Sequence, residues 1–156
     1  MINKTSDEKK TEKLFKKYKS IIIGKMGNQE TTDVELDEIG TYLFGKQFIG
    51  VYAQDTIPLG KTGYLIANTD ISNQPGTHWV AIVITAKNIY VYDSFGRPAS
   101  KLLKVLSKNA KEKKINIVNS DLSDSEQLDS SSICGQLSLA FLCVVKHLGI
   151  RSALLI

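Results

Sequence analysis

Cysteine, proline and long apolar runs are all scarce in this chain of 156 residues. Its two cysteines, Cys134 and Cys143, are too few for a disulfide scaffold, so we expect reduced thiols in an intracellular compartment. No stretch approaches the ~18 consecutive apolar residues of a membrane span, and residues 1–8 lack the apolar run of a signal peptide. With 42% hydrophobic residues, 23% charged residues and three prolines, the composition excludes disordered and collagen-like sequence. The length predicts a single domain over residues 1–156.

The net charge of +4 conceals a pattern of alternating blocks. Residues 1–25 carry eight lysines against three acids, and residues 71–114 carry eight basic residues against two acids. Between them, residues 26–70 carry two lysines against seven acids. The two basic blocks can form a face that binds DNA, or their lysines can simply solvate exposed helices. DNA is therefore a candidate partner, and a non-enzymatic DNA-packaging protein is one functional alternative.

The spacing of apolar residues predicts an α+β fold. A basic helix over residues 7–20 is expected within an N-terminal helix and loop that cover residues 1–28, and a second helix follows the capping box that starts at Thr32. A lysine-rich helix is expected over residues 99–112, and an apolar helix over residues 134–147. The segments with strand periodicity are 48–53, 64–67, 78–85, 89–92 and 115–118. We therefore expect a small antiparallel sheet packed on a buried central helix.

Cys134 stands where this central helix begins. The serines of residues 130–132 can cap the helix with their side chains. The positive end of the helix dipole and its free backbone N–H groups favour a thiolate at this position. Gly135, the next residue, leaves space for a substrate backbone to approach. The alternative is that Cys134, like Cys143, is a small residue of the core.

Two histidines are available to act as the base that a catalytic thiolate needs. His147 lies on the same helix, roughly 20 Å from Cys134 at the helical rise per residue, and cannot serve it. His78 starts the central strand. The predicted hairpin brings Asp93 to the same rim of the sheet, where its carboxylate can hold the imidazole. Alternatively, a backbone carbonyl satisfies His78, and Asp93 merely caps the turn that follows it.

Gln127 is the fourth candidate. It lies seven residues before Cys134 in a polar segment. A glutamine amide and the backbone N–H of the cysteine would together donate two hydrogen bonds to a developing oxyanion. Taken alone, Gln127 is better explained as a solvent-exposed loop residue. We expect neither a metal nor a cofactor in this site.

The order His, Asp, Gln, Cys-Gly resembles that of the adenovirus-type cysteine endopeptidases. The wider group contains the proteases that act on SUMO and other ubiquitin-like proteins. The surrounding sequence looks like the maturation proteases of virophages and related mobile DNA elements. The matching segments, which together span about residues 48–145, are Gly50-Val51-Tyr52, Asn68-Thr69-Asp70, Gly76-Thr77-His78-Trp79, Tyr92-Asp93-Ser94-Phe95-Gly96, and Gln127 with Cys134-Gly135.

The resemblance implies a role for each residue of the pattern. Cys134 would be the nucleophile and His78 the general base, which Asp93 would orient. Gln127 would complete the oxyanion hole. Trp79 would wall a narrow cleft that favours glycine next to the scissile bond. Strand alternation alone aims the Trp79 ring away from the side on which His78 lies.

The implied function is that of a viral cysteine endopeptidase that cleaves capsid or core precursor proteins at glycine-containing sites during virion maturation. Its location would be the virion and the cytoplasm or nucleus of the host cell, with no membrane attachment. DNA stimulation is a trait of the group. In the adenovirus enzymes an activating peptide is attached through a disulfide to a cysteine ahead of the central helix. Here Cys134 is the first cysteine, so any activation by a peptide would have to be noncovalent.

Three alternatives stay open at this point. The first is a protease that removes a ubiquitin-like modifier from its targets. The second is an acetyltransferase that reuses a His–acid–Cys site. The third is the non-enzymatic DNA-packaging protein, which needs none of the four residues of the pattern.

Overall fold

A five-stranded sheet with helices on both faces forms the fold in the computed structural model, which describes residues 4–75, 78–120 and 132–156. The strands are β1 (Phe48–Ala53), β2 (Gly63–Asn68), β3 (Trp79–Ile84), β4 (Asn88–Tyr92) and β5 (Asn116–Asn119). The helices are α1 (Ser6–Met26), α2 (Asp33–Phe44), α3 (Ala99–Leu102), α4 (Lys104–Glu112), α5 (Cys134–Leu148) and α6 (Ile150–Ala153). None of these helices is both long and apolar enough to cross a membrane.

The sheet order is β1-β2-β3-β4-β5, and its two halves are joined through the central strand β3. β3 is antiparallel to β2 and to β4, but β1 is parallel to β2 and β5 is parallel to β4. The α+β class is therefore confirmed, whereas the sheet is mixed and not antiparallel as expected. The difference has a physical source, because parallel neighbours need a crossover and α3 and α4 supply one between β4 and β5.

Two hydrophobic clusters cover the two faces of the sheet. Ala81 and Val83 of β3 pack in the cluster that contains α1 and α5. Val80 and Ile82 pack on the opposite side, in the cluster that contains Leu106 of α4. A strand that is buried on both faces has no polar alternation, which explains its continuous apolar sequence.

The central helix is buried, as predicted. Every α5 residue from Cys134 to Val145 is buried. Ile133 occupies the N-cap position and supplies no side-chain cap, so Ser132 is not the N-cap residue. Residues 130 and 131 lie outside the described residues.

Two helix boundaries differ from the sequence prediction. α1 runs to Met26 and ends at Gly27, whose φ of +82° suits glycine. The lysine-rich helix is broken at Leu103 into α3 and α4. The side chain of Gln54 bridges this break, since its Nε2 donates to the Leu102 carbonyl at 3.2 Å and its Oε1 accepts from the Val105 N–H at 3.0 Å.

The two basic blocks do not form one face. α1 packs on the α5 side of the sheet, whereas α4 packs on the other side. Together α3 and α4 hold four of the seven lysines of the second block, namely Lys101, Lys104, Lys108 and Lys111. The sheet therefore lies between the lysines of α1 and those of α3 and α4.

Candidate active site

The thiol of Cys134 lies at the N-terminus of α5, against the start of β3. The backbone N–H of Trp79 donates a hydrogen bond to Cys134 Sγ at 3.4 Å. Ser138, one turn further along α5, donates from its hydroxyl to the Cys134 carbonyl at 2.7 Å. With its first turn free of a side-chain cap, α5 directs backbone N–H groups and its positive dipole end at the surroundings of the thiol.

His78 lies between Cys134 and Asp93. Its Nε2 is hydrogen-bonded to Asp93 Oδ1, and the Cys134 side chain lies close enough to its ring to raise the pKa of the imidazole. Because Nε2 faces Asp93, Nδ1 is the ring nitrogen that remains for the thiol. The predicted grouping of Cys134, His78 and Asp93 is thus present in the structure.

Asp93 performs both of the roles that the sequence left open. One carboxylate oxygen, Oδ1, holds His78. The other, Oδ2, accepts from the Arg97 backbone N–H at 2.9 Å and from Arg97 Nε at 3.0 Å. The Asp93 carbonyl accepts from the Gly96 N–H at 2.9 Å, which closes the turn, and Gly96 has a φ of +72°. The carboxylate is 3% exposed, so its position is fixed from all sides.

The electrostatics of this group favour an imidazolium. Burial by itself lowers the pKa of His78, but the hydrogen bonds to Asp93 and Cys134 and the charges of those two groups raise it to about 9. Burial likewise raises the pKa of Asp93, but its hydrogen bonds to His78 and Arg97 outweigh burial and hold that pKa below its usual value. At neutral pH the site therefore holds a protonated His78 beside an ionised Asp93.

Two further side chains, which sequence reasoning did not identify, support this arrangement. The Phe95 ring packs on the His78 ring with centroids 5.3 Å apart. The Arg97 guanidinium lies 4.8 Å from the centre of the Phe95 ring, on which it makes a cation–π contact. Both residues follow Asp93 in the same turn, and that sequence proximity is the signal that could have found them.

Trp79 lines the cleft in which the thiol lies. Its side chain packs on the α5 side of the sheet, and its Nε1 donates to the Thr31 carbonyl at 3.1 Å. The cleft has a volume of about 800 Å³, and His78, Cys134 and Thr31 also line it. Trp79 is the first residue of β3, and alternation along the strand places its side chain on the face of the sheet that packs against α5, the helix that carries Cys134. His78 comes just before the strand and lines the cleft from that position.

Gly135 is closely packed on the side where a side chain would lie. A Cβ built on Gly135 would lie 2.1 Å from Thr31 Oγ1 and 3.0 Å from Leu36 Cδ2. The glycine is therefore required by the close packing of α5 against the start of α2. Its predicted role toward a substrate backbone stays a prediction.

Gln136 is a structural residue that the sequence analysis missed. Its fully buried side chain donates through Nε2 to the Gly27 carbonyl at 3.0 Å and to the Gln29 carbonyl at 2.8 Å. These bonds tie the segment between α1 and α2 to the central helix, and so hold the Thr31 wall of the cleft. The available signal was a lone amide among the apolar residues of a buried helix.

The remaining candidates lie apart from the site or outside the description. Gln127 lies outside the described residues, so its place in an oxyanion hole stays a prediction. His147 contacts the hydroxyl of Tyr18 on α1 through Nδ1 at 3.4 Å, at the far end of α5 from Cys134. Burial raises the pKa of Cys143 to about 11 despite the charge of Lys146, which suits a core thiol. In the described part of the chain, no three His, Cys, Asp or Glu residues group as metal ligands.

Comparisons with known proteins give a weak similarity to solved structures. No protein-family model matches the chain, and no curated protein sequence does. Among solved structures, the chain is similar to one described as AvrA delL154 with IP6 and CoA, at a TM-score of 0.42 and 16% sequence identity. The match covers 93% of this chain and 62% of that one, so the chain spans less than two thirds of its length. Any functional argument therefore depends on the geometry of Cys134, His78 and Asp93.

Proposed function

We propose that the protein is a cysteine endopeptidase. The observation that carries this proposal is the buried grouping of Cys134, His78 and Asp93, in which Asp93 is hydrogen-bonded to His78 and the thiol lies at the N-terminus of α5. A thiolate paired with an imidazolium is an activated nucleophile, and the carboxylate behind the imidazole fixes its orientation. A protein that only packages DNA needs none of these three groups.

The first half of the reaction forms an acyl-enzyme. Cys134 Sγ attacks the carbonyl carbon of the scissile peptide, so that a C–S bond forms and the carbonyl oxygen becomes an oxyanion. Backbone N–H groups of the uncapped first turn of α5 stabilise this charge, with the Gln127 amide as the expected second donor. The oxyanion then collapses, the C–N bond breaks, and His78 gives its proton to the leaving amine.

The second half restores the enzyme. His78, now neutral, takes a proton from a water molecule, whose oxygen attacks the thioester carbonyl. The C–S bond breaks, the carboxylic product leaves, and Cys134 is again a thiolate beside a protonated His78. Asp93 stays ionised throughout and stabilises the imidazolium in both halves.

The finer assignment follows the sequence resemblance. Trp79, fixed through Thr31, narrows the cleft beside the thiol, which supports cleavage after glycine. Capsid or core precursor proteins of a virus are the proposed substrates, and the virion and the host cytoplasm or nucleus are the proposed locations. A ubiquitin-like modifier also ends in glycine, so its removal is the neighbouring possibility within the same chemistry.

Mass spectrometry of candidate precursor proteins incubated with the purified protein tests this proposal. We expect new termini after glycine with the wild type and with Cys143→Ala, the matched control, and none with Cys134→Ala. A parallel reaction contains the same precursor proteins together with acetyl-CoA. Acetylated lysines without any chain cleavage would contradict the endopeptidase assignment, as would cleavage that survives Cys134→Ala.

A further inference from the structure

The charged residues on the walls of the cleft share one sign. Glu30 and Asp33 line it from the α1–α2 side, and Asp70 lines it from the end of β2. Among the described residues that line the cleft, none is a lysine or an arginine. In the proposed mechanism, Cys134 and His78 react as an ion pair with no net charge. A protein with a net charge of +4 therefore has a cleft with negative walls.

The fold explains this separation of charge. The wall carboxylates all come from the acidic block of residues 26–70, which supplies α2, β1 and β2. The lysines of α1 and of α3 and α4 lie away from the cleft, whereas Arg97 lies beside Phe95 at the cleft and is paired with Asp93. The cleft-facing part of the chain thus has a charge opposite to that of the molecule as a whole.

Aromatic rings share the cleft with these carboxylates. Tyr52 of β1 and Trp79 both line it, and Trp79 is fixed by its bond to the Thr31 carbonyl, the residue next to Glu30. Carboxylates and aromatic rings that line the same cleft can both contribute to the recognition of an organic cation. In a peptide substrate the cation of this kind is a lysine or arginine side chain.

We propose that the cleft selects peptide substrates that carry a lysine or arginine within a few residues of the scissile bond. This inference rests on the proposed endopeptidase function and adds a substrate class to it. A concave site with walls of one sign focuses the field, so that the preference acts on both the rate of encounter and the stability of the complex. Salt weakens both effects.

Peptide binding to Cys134→Ala measures the preference without relying on turnover. The probes are fluorescent peptides with one central Gly-Gly and a lysine, glutamine or glutamate moved through the three positions on its N-terminal side. We expect the best lysine peptide to bind about five- to tenfold more tightly than its glutamate counterpart at low salt, as two or three exposed charge pairs would give. The ratio should shrink toward one at high salt.

Two matched variants locate the effect. In the Cys134→Ala background, adding Glu30→Gln and Asp33→Asn should remove most of the preference, whereas adding Glu112→Gln, on α4, should leave it unchanged. Equal affinity for lysine and glutamate peptides, or a preference unaffected by the wall substitutions, would overturn the inference. Wild-type protein that binds lysine peptides selectively but cleaves none would contradict the endopeptidase assignment and leave the cation preference supported.

Discussion

Among single residues, Asp93 does most to position the other groups of the site. It holds His78 with one oxygen and the Asp93–Arg97 turn with the other, so the orientation of the base depends on the rigidity of that turn. The sequence predicted the pairing of His78 with Asp93 because hairpin register is a local property of adjacent strands. It did not predict Arg97, because the direction of a long side chain after a turn depends on the Phe95 ring on which it packs.

Asp93→Asn should lower the rate and move its dependence on pH. The reaction needs a protonated His78, whose pKa of about 9 places the alkaline limb of kcat/KM near pH 9 in the wild type. An amide supplies no negative charge, so the pKa of His78 falls and the limb moves toward neutral pH. We expect kcat to fall by about 10²- to 10⁴-fold.

The measurement is kcat/KM for one peptide between pH 6 and pH 11, in the wild type and in Asp93→Asn. His147→Ala is the control, since this histidine lies at the far end of α5 and contacts Tyr18. An alkaline limb that stays in place in Asp93→Asn would show that the carboxylate does not control the protonation of His78.

At the scale of the elements, the junction between α5 and α2 determines where the thiol lies. The capping box at Thr32 was predictable because it depends on a few adjacent residues, and α5 was predictable from its continuous apolar sequence. The break at Leu103 and the parallel edge strands were not, because they depend on Gln54 and on crossovers, which join residues far apart in sequence. Taken alone, Gly135 suggested space for a substrate, but the neighbours that a side chain at this position would meet depend on how α2 packs.

Gly135→Ala and Gly24→Ala should change stability in opposite directions. A methyl group at Gly135 meets Thr31 Oγ1 and Leu36, and overpacking of this kind costs about 1–3 kcal/mol. At Gly24, inside α1, an added Cβ meets nothing within 4 Å, so alanine should stabilise the helix by about 0.5–1 kcal/mol. Urea unfolding at pH 7 gives both values, and a neutral Gly135→Ala would contradict the close packing of α5 on α2.

On the scale of the whole molecule, the fold determines where the charge blocks that alternate along the sequence lie relative to the sheet. The sequence revealed the blocks, but only the arrangement of helices around the sheet shows that α1 and α4 lie on opposite faces. If the protein binds DNA, a single block should contact a given short duplex. About five phosphate contacts then give a slope of about −5 in log Kobs against log salt.

Two triple variants distinguish the blocks. One set of exposed lysines lies on α1 and consists of Lys9, Lys13 and Lys16. The other set lies on α4 with the same spacing and consists of Lys104, Lys108 and Lys111. Replacing one set by glutamine should reduce the magnitude of the slope by about 3, at about 0.9 per lost contact, while replacing the other set leaves it unchanged. Fluorescence anisotropy of a labelled duplex measures the slope, and equal reductions by both sets would contradict binding through one face.

The most direct test of the central claim, that Cys134 is a nucleophile activated by His78, is the order in which the two thiols react. Cys134 lies beside His78 and the Trp79 N–H, whereas Cys143 is buried with a pKa of about 11 and is a thiolate in only roughly one molecule in 10⁴ at pH 7. Substoichiometric iodoacetamide at pH 7, followed by peptide mass spectrometry, should label Cys134 first, and His78→Ala should slow that labelling whereas His147→Ala should not. Preferential labelling of Cys143, or labelling of Cys134 at an unchanged rate in His78→Ala, would contradict the account.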